Sequence, residues 1–216
     1  MKKIAIIGGT GPEGRGLGLR FAIAGHNVII GSRTQERAEQ AALEISSITP
    51  DLNITGSNNE DAANSSDVVI LSVPFEGLRP VAETIEPLTK GKLIVSIIAP
   101  LSFSEGHMKA LNVPEGSAGE LTSILFPQSL VASAFQNLSA RDLLNPSLKL
   151  NGDVAICSNS DTGLNEVVGL VSDIPDLRPL NAGSLSNSRY VEELTALLIN
   201  MNKIHKTHTT IQFLGI

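Results

Sequence analysis

At 216 residues with 42% hydrophobic content, the chain can bury the core of one sizeable α/β domain. A net charge of −6, 3% aromatics and no tryptophan exclude the basic footprint and stacking platforms of a nucleic-acid binder. No apolar stretch approaches the roughly 20 residues that span a bilayer, so no membrane partner is expected. The single cysteine, Cys157, rules out an intramolecular disulfide and suits a reducing cytoplasm.

The chain opens on an apolar run, Ile4-Ala5-Ile6-Ile7, which reads as a buried strand and leads through Gly8 into Gly9-Thr10-Gly11-Pro12-Glu13-Gly14. In a nucleotide-binding turn of this spacing the glycines have separate jobs. Gly9 lets the chain turn, Gly11 lets the backbone approach a pyrophosphate, and Gly14 lets the next helix pack on the strand. Pro12 suits the first helical turn, whose free N–H groups attract an anion. The helix carries Leu17, Leu19, Phe21 and Ala22 and closes at Gly25-His26; a second strand then ends in Gly31-Ser32-Arg33. Sites that prefer NAD place an acidic residue at that point for the ribose hydroxyls, and none is present here. Ser32 can donate to a 2′-phosphate, Arg33 can bind its oxygens, and Arg37 lies one helical turn on, so NADP(H) is the expected cofactor. The plainer alternative makes Arg33 and Arg37 a solvated face beside Glu36 and Glu39.

Thr34 is expected to cap a helix running to about Ile48. A short strand near Ile54-Thr55-Gly56, a brief helix at 59–64 and the apolar strand Val68–Leu71 follow; a run without polar alternation predicts burial on both faces. A helix from about Glu76 to Ile85 and a strand from Leu93 to Ile98 come next. Ligands of such sheets lie over the carboxyl ends of the strands, which makes Ser72, Val73, Pro74, Ala99 and Pro100 candidate cofactor contacts. Each of these segments reads equally well as a strand terminator with a turn.

The second half predicts a helix over 119–125, strands at 130–135 and 154–157, a helix over 164–171, a short strand at 177–180 and a long helix from Ser188 to about Thr207. Ser186 or Ser188 is expected to cap that last helix, whose face of Leu194, Leu197, Leu198 and Met201 makes a homodimer plausible. The expected fold is α/β: a Rossmann-like, doubly wound, mainly parallel sheet with helices on both faces and a helical C-terminal segment. Residues 1–180 form the NADP-binding domain in this reading, and residues 181–216 pack on it without a clear linker. His26, His107, His205 and His208 lack metal-ligand spacing, so no metal site is expected. Gln136 and Asn137 follow a buried strand at the carboxyl edge, where they either hold a polar ring system or satisfy loop backbone groups.

These pieces coincide in one family. The chain resembles, almost end to end, the NADPH-dependent reductases of the deazaflavin coenzyme F420. The resemblance is carried by Ile7-Gly8-Gly9-Thr10-Gly11 with Gly14, Gly31-Ser32-Arg33 with Arg37, and Asn59-Glu60-Asp61-Ala62-Ala63. It continues in Leu177-Arg178-Pro179-Leu180 and in Ala182-Gly183-Ser184-Leu185-Ser186-Asn187-Ser188-Arg189 with Val191-Glu192. It implies hydride transfer between NADP(H) and coenzyme F420, with Thr10, Ser32, Arg33 and Arg37 on the NADP phosphates. It also implies that the loop after Phe135, with Gln136, Asn137 and Leu138, lines the deazaflavin pocket. The family commonly carries His where this chain has Gln136, which cannot be protonated. Runner-up expectations are a reductase of a flavin or small imine and a non-catalytic NADP(H)-sensing module that lacks a second ring pocket.

Overall fold

In β1 (Lys3–Ile7) successive side chains point to opposite faces, and both faces are apolar: Ile4 and Ile6 enter one core, Ala5 and Ile7 the other. The computed structural model, which describes all 216 residues, places this strand near the middle of an eight-stranded sheet. Its neighbours are β2 (Asn27–Ser32) on one side and β4 (Val68–Leu71) on the other, both parallel. Outside β2 lies β3 (Ile54–Asn58). Beyond β4 come β5 (Leu93–Ser96), β8 (Leu130–Ser133), β9 (Gly152–Ser158) and β10 (Leu177–Asn181). Within this sheet only the β8–β9 pairing is antiparallel. Pro179, which has no N–H to donate, sits on the edge strand β10, where that is tolerated.

Helices cover both faces. On one, α1 (Pro12–Ile23), α2 (Gln35–Ile48) and α7 (Asp161–Ser172) bury Leu17, Phe21, Ile45 and Leu170. Full burial of a side chain the size of Phe21 is worth about 1.5–3 kcal/mol. On the other, α3 (Asn59–Asn64), α4 (Leu78–Ile85), α5 (Ala118–Leu125) and α8 (Ser188–His205) contribute Ala62, Ile85, Leu121 and Val191. The helix α8 is pinned by the buried Glu192, whose two carboxylate oxygens accept the Ala118 and Gly119 N–H groups at the start of α5 at 2.9 and 3.0 Å. Burial pushes the Glu192 carboxyl up to about 7, against the pull of those donors.

Several expectations need correction. β5 stops at Ser96, not Ile98, because Ile97 to Pro100 leave the sheet. β8 stops at Ser133, since the buried Phe135 adopts φ 75° and turns the chain. The helix expected from Glu76 is a 3₁₀ turn over Phe75–Gly77 before α4 begins. Thr34 occupies the N-cap of α2 but its hydroxyl makes no capping bond. Neither Ser186 nor Ser188 caps α8: Ser186 pairs with the Ser184 hydroxyl, and Asn187 holds the cap position without a side-chain bond. Two further elements were not anticipated, the hairpin β6 (Leu101–Ser104) and β7 (His107–Ala110) and the one-turn helix α6 (Ala140–Leu143). Asn200 of α8 clamps the hairpin by bonding both the N–H and the C=O of Met108.

Candidate active site

The sheet reverses its order between β1 and β4, and a groove opens over their carboxyl ends, as expected where the two halves of a doubly wound sheet diverge. Gly8, at φ 69°, makes the turn out of β1; a Cβ there would lie 2.5 Å from Val73 and 2.9 Å from the Ser72 carbonyl oxygen. Gly8 rather than Gly9 therefore supplies the left-handed turn. Gly9 is needed for space, since a Cβ would meet the Ile6 carbonyl oxygen at 2.6 Å. At Gly14 a Cβ would meet the backbone of Gly9 at 2.6 Å, which is the close packing of helix and turn that the spacing predicted. Gly11 differs: its φ of −77° suits any residue and a Cβ would touch nothing within 4 Å, so its face is open to the groove.

One end of the groove is lined by Ser32, Arg33 and Arg37 with Thr10, Asn59, Val73 and Pro74. Ser32 is buried and its hydroxyl has no partner in the protein, while neither arginine joins an ion pair. Of the two anions offered to them by the solvated-face alternative, Glu39 instead accepts a bond from Gln35, and Glu36 pairs with neither arginine. Two unpaired guanidinium groups beside a free hydroxyl form a site that attracts a phosphate. The other end is lined by Gly11, Pro12, Glu13 and Ser72 to Pro74 with Ile97, Ile98 and Ala99. Pro100 is buried behind this wall, where its carbonyl accepts the Leu111 N–H, and the structure does not bring it to the groove.

A second cavity, of about 590 Å³, lies beside the first and shares Glu13 with it. Its floor is Gln136, Asn137 and Leu138, and its far wall is Thr195, Leu198 and Asn202 of α8 with residues 206–209 after it. The positive φ of Phe135, a strained conformation for a large side chain, is what turns this loop under the cavity. Phe135 itself is held edge-on against Phe21 at 5.9 Å.

The amides are fixed in one orientation. Gln136 Nε2 donates to the Ser96 carbonyl at 3.2 Å and to Ser133 Oγ at 2.7 Å, and Asn137 Nδ2 donates to the Asp153 carbonyl at 2.8 Å. Only a nitrogen can make those bonds to a carbonyl, so both side-chain oxygens are left as acceptors. The nitrogens thus satisfy loop backbone groups, while the side-chain oxygens have no partner in the protein. At Gln136 it is the acceptor, not the donor, that is left without a partner. Of the six buried side-chain atoms without a partner, four belong to residues that line this cavity: Glu13 Oε1, Gln136 Oε1, Asn137 Oδ1 and Thr209 Oγ1. An orphaned buried polar atom costs about 1–3 kcal/mol, and four in one place mark a site shaped for a polar occupant.

Sequence reasoning missed Asn59, Gly8 as a lining residue, and the whole α8 wall. Asn59 Oδ1 accepts the Gly8 N–H at 3.3 Å and lies where a Cβ on Gly31 would sit, 2.9 Å away, so it braces the first turn against β2. Its place at the start of a short helix, directly after β3, was the available signal. Gln136 is joined to α8 by its main-chain oxygen, which accepts from Thr195 Oγ1 at 3.1 Å.

A groove at the β1–β4 reversal, an open glycine face and a phosphate-attracting end define the class: a Rossmann-type dinucleotide-binding protein. Residues 3–100 match the protein family described as "NADP oxidoreductase coenzyme F420-dependent". The sequence is 38% identical to the F420-dependent NADP reductase of Methanocaldococcus jannaschii, covering 96% of each chain. It is 37% identical to the F420-dependent NADP reductase of Methanothermobacter thermautotrophicus, covering 93% of this chain and 89% of the relative. A crystal structure from Arthrobacter sp. FB24, provisionally described as an F420-dependent NADP reductase, superposes with a TM-score of 0.83 at 24% identity over 99% of this chain and 100% of its own, and shares the fold. The chain belongs to the F420-dependent NADP reductase family.

Proposed function

We propose that this protein transfers a hydride between NADP(H) and the deazaflavin coenzyme F420. The observation that carries this reading is the meeting of two different sites at Glu13, one glycine-walled with a basic end and one acceptor-lined. Hydride transfer between two flat rings asks a protein chiefly to hold them together, exclude water and match the shift of charge. Ser32, Arg33 and Arg37 would hold the 2′-phosphate, Gly11 and the start of α1 the pyrophosphate, and Ser72 to Pro74 with Ala99 the nicotinamide end. Gln136, Asn137 and Leu138 would hold the deazaflavin, whose ring N–H groups suit free carbonyl oxygens. A second cavity of this size is not what a bare NADP(H)-sensing module needs.

The relatives' names support this choice of acceptor. No helix is long and apolar enough to cross a membrane. The face of α8 that suggested a homodimer is not free as a whole, since Leu198 is buried against the second cavity; the exposed Leu197, with Tyr190 and Ile204 seven residues to either side, supports a homodimer instead, and the single buried cysteine fits a cytoplasmic location. The test is to mix the purified protein with NADPH and F420 and, separately, with FMN, and to follow absorbance. Loss of the oxidised F420 band together with NADPH supports the reading. Oxidation of NADPH by FMN alone would refute it.

A further inference from the structure

We infer that Glu13 is the proton donor to the acceptor ring: its carboxyl group occupies the partition between the two cavities and passes a proton to the deazaflavin as the hydride arrives. This rests on the reaction proposed above. Hydride transfer alone does not complete that reaction. The hydride leaves the nicotinamide of NADPH with two electrons and forms a C–H bond at the central ring carbon of the deazaflavin. The electron pair displaced from that ring settles on a pyrimidine nitrogen, which must take up one proton. NADPH is oxidised, the deazaflavin is reduced, and one proton is consumed in each turnover.

The structure offers few sources for it. In the groove past Gly11, Glu13 is the sole ionisable side chain, the rest of the wall being Gly8, Thr10, Pro12 and the ends of β4 and β5. In the second cavity the other ionisable groups are Arg141, from α6, and Lys206 and His208, from the segment after α8. The His208 ring is paired with Asp142 Oδ1 at 2.6 Å, on the side of α6. On α1 itself Arg15 turns away to the Thr10 carbonyl and to Glu44. Glu13 is therefore the one acid common to both cavities.

Its surroundings keep the proton on it. The Oε1 atom is sealed from water and has no hydrogen-bond partner, so nothing in the protein stabilises a charge on it. Burial pushes this carboxyl up to about 8, with no compensating cation. A pyrophosphate at Gly11 would push it further in the same direction. A donor poised slightly above neutral pH can give up its proton during turnover and regain it from solvent through the open mouth of the cavity.

The test joins infrared spectroscopy of the ligand-free protein to single-turnover kinetics of Glu13→Gln, which keeps the shape and removes the proton. Wild type minus Glu13→Gln is expected to show the carbonyl stretch of a protonated carboxyl at pH 7, fading as pH rises through about 8. F420 reduction by wild type should fall about tenfold per pH unit above that point, and F420H2 oxidation should rise below it, as microscopic reversibility requires. In Glu13→Gln both slopes should vanish and the rate fall about a hundredfold, with dissociation constants for NADPH and F420 within about threefold of wild type. Missing infrared intensity, or a variant with wild-type rates and slopes, overturns the inference alone. A wild type that leaves F420 unchanged overturns the parent reaction and the inference with it.

Discussion

Gly11→Val separates a glycine kept for a ligand from glycines kept for the fold. At Gly14 an added Cβ would lie 2.6 Å from the Gly9 Cα, and at Gly9 it would lie 2.6 Å from the Ile6 carbonyl oxygen; in both cases backbone would have to move. Such overpacking costs typically about 1–3 kcal/mol or more. Gly11 has an ordinary φ of −77° and nothing within 4 Å of a Cβ. It is also the N-cap of α1, where a residue without a capping oxygen loses up to about 1 kcal/mol relative to glycine, offset by about 0.4–1 kcal/mol from a less flexible unfolded chain. Gly11→Val should thus unfold in urea within about 1 kcal/mol of wild type. The valine nonetheless fills the space where the backbone meets the pyrophosphate. Losing two charge-assisted bonds at about 1.5–3 kcal/mol each weakens NADPH by about 3 kcal/mol or more, a hundredfold or more in the dissociation constant. Calorimetric titration and urea unfolding on the same preparations check both halves. A variant that binds NADPH normally, or that loses binding only because it unfolds, refutes the assignment.

Arg33→Ala removes one of two unpaired guanidinium groups beside Ser32, so NADPH should weaken by about 1.5–3 kcal/mol while NADH binding barely changes; equal losses for both would place Arg33 away from the 2′-phosphate. Gln136→Ala deletes a free acceptor from the floor of the second cavity, so fluorescence titration should show weaker F420 binding, by about 1–2 kcal/mol, at an unchanged NADPH dissociation constant. Wild-type F420 affinity would remove Gln136 from that pocket. Glu192 is pushed up to about 7 from an ordinary value of 4.5, so its contribution to stability is complete below pH 4.5 and lost as pH rises toward 7 and beyond. The loss amounts to about 3 kcal/mol. Urea unfolding of Glu192→Gln across pH 5–8 should lack that share of the decline, and an unchanged pH profile would show that Glu192 titrates alike in the folded and unfolded chain.

The parts of this fold that were legible in the sequence share a cause. Strands β1, β4, β5 and β9 are buried on both faces, so Ile4 to Ile7, Val68 to Leu71 and Val154 to Cys157 stand out as unbroken apolar runs, ended by Gly8, Ser72 and Ser158. The phosphate-binding turn was legible because its requirement is steric: only glycine fits at positions 9 and 14. The hairpin β6–β7 was not, since its strands are four residues long and half exposed, and its one signal is Glu105-Gly106, both at positive φ. The cavity beside Gln136 was only half legible. A polar loop after a buried strand announces an edge, yet its opposite wall comes from α8, some 60 residues away in sequence, through the Thr195 contact. No local pattern encodes that meeting. Glu13 has the same limit: in sequence it is an acidic residue in a first helical turn, where the helix dipole favours its charge. Its raised pKa follows from burial, and so it becomes visible only when the chain is folded.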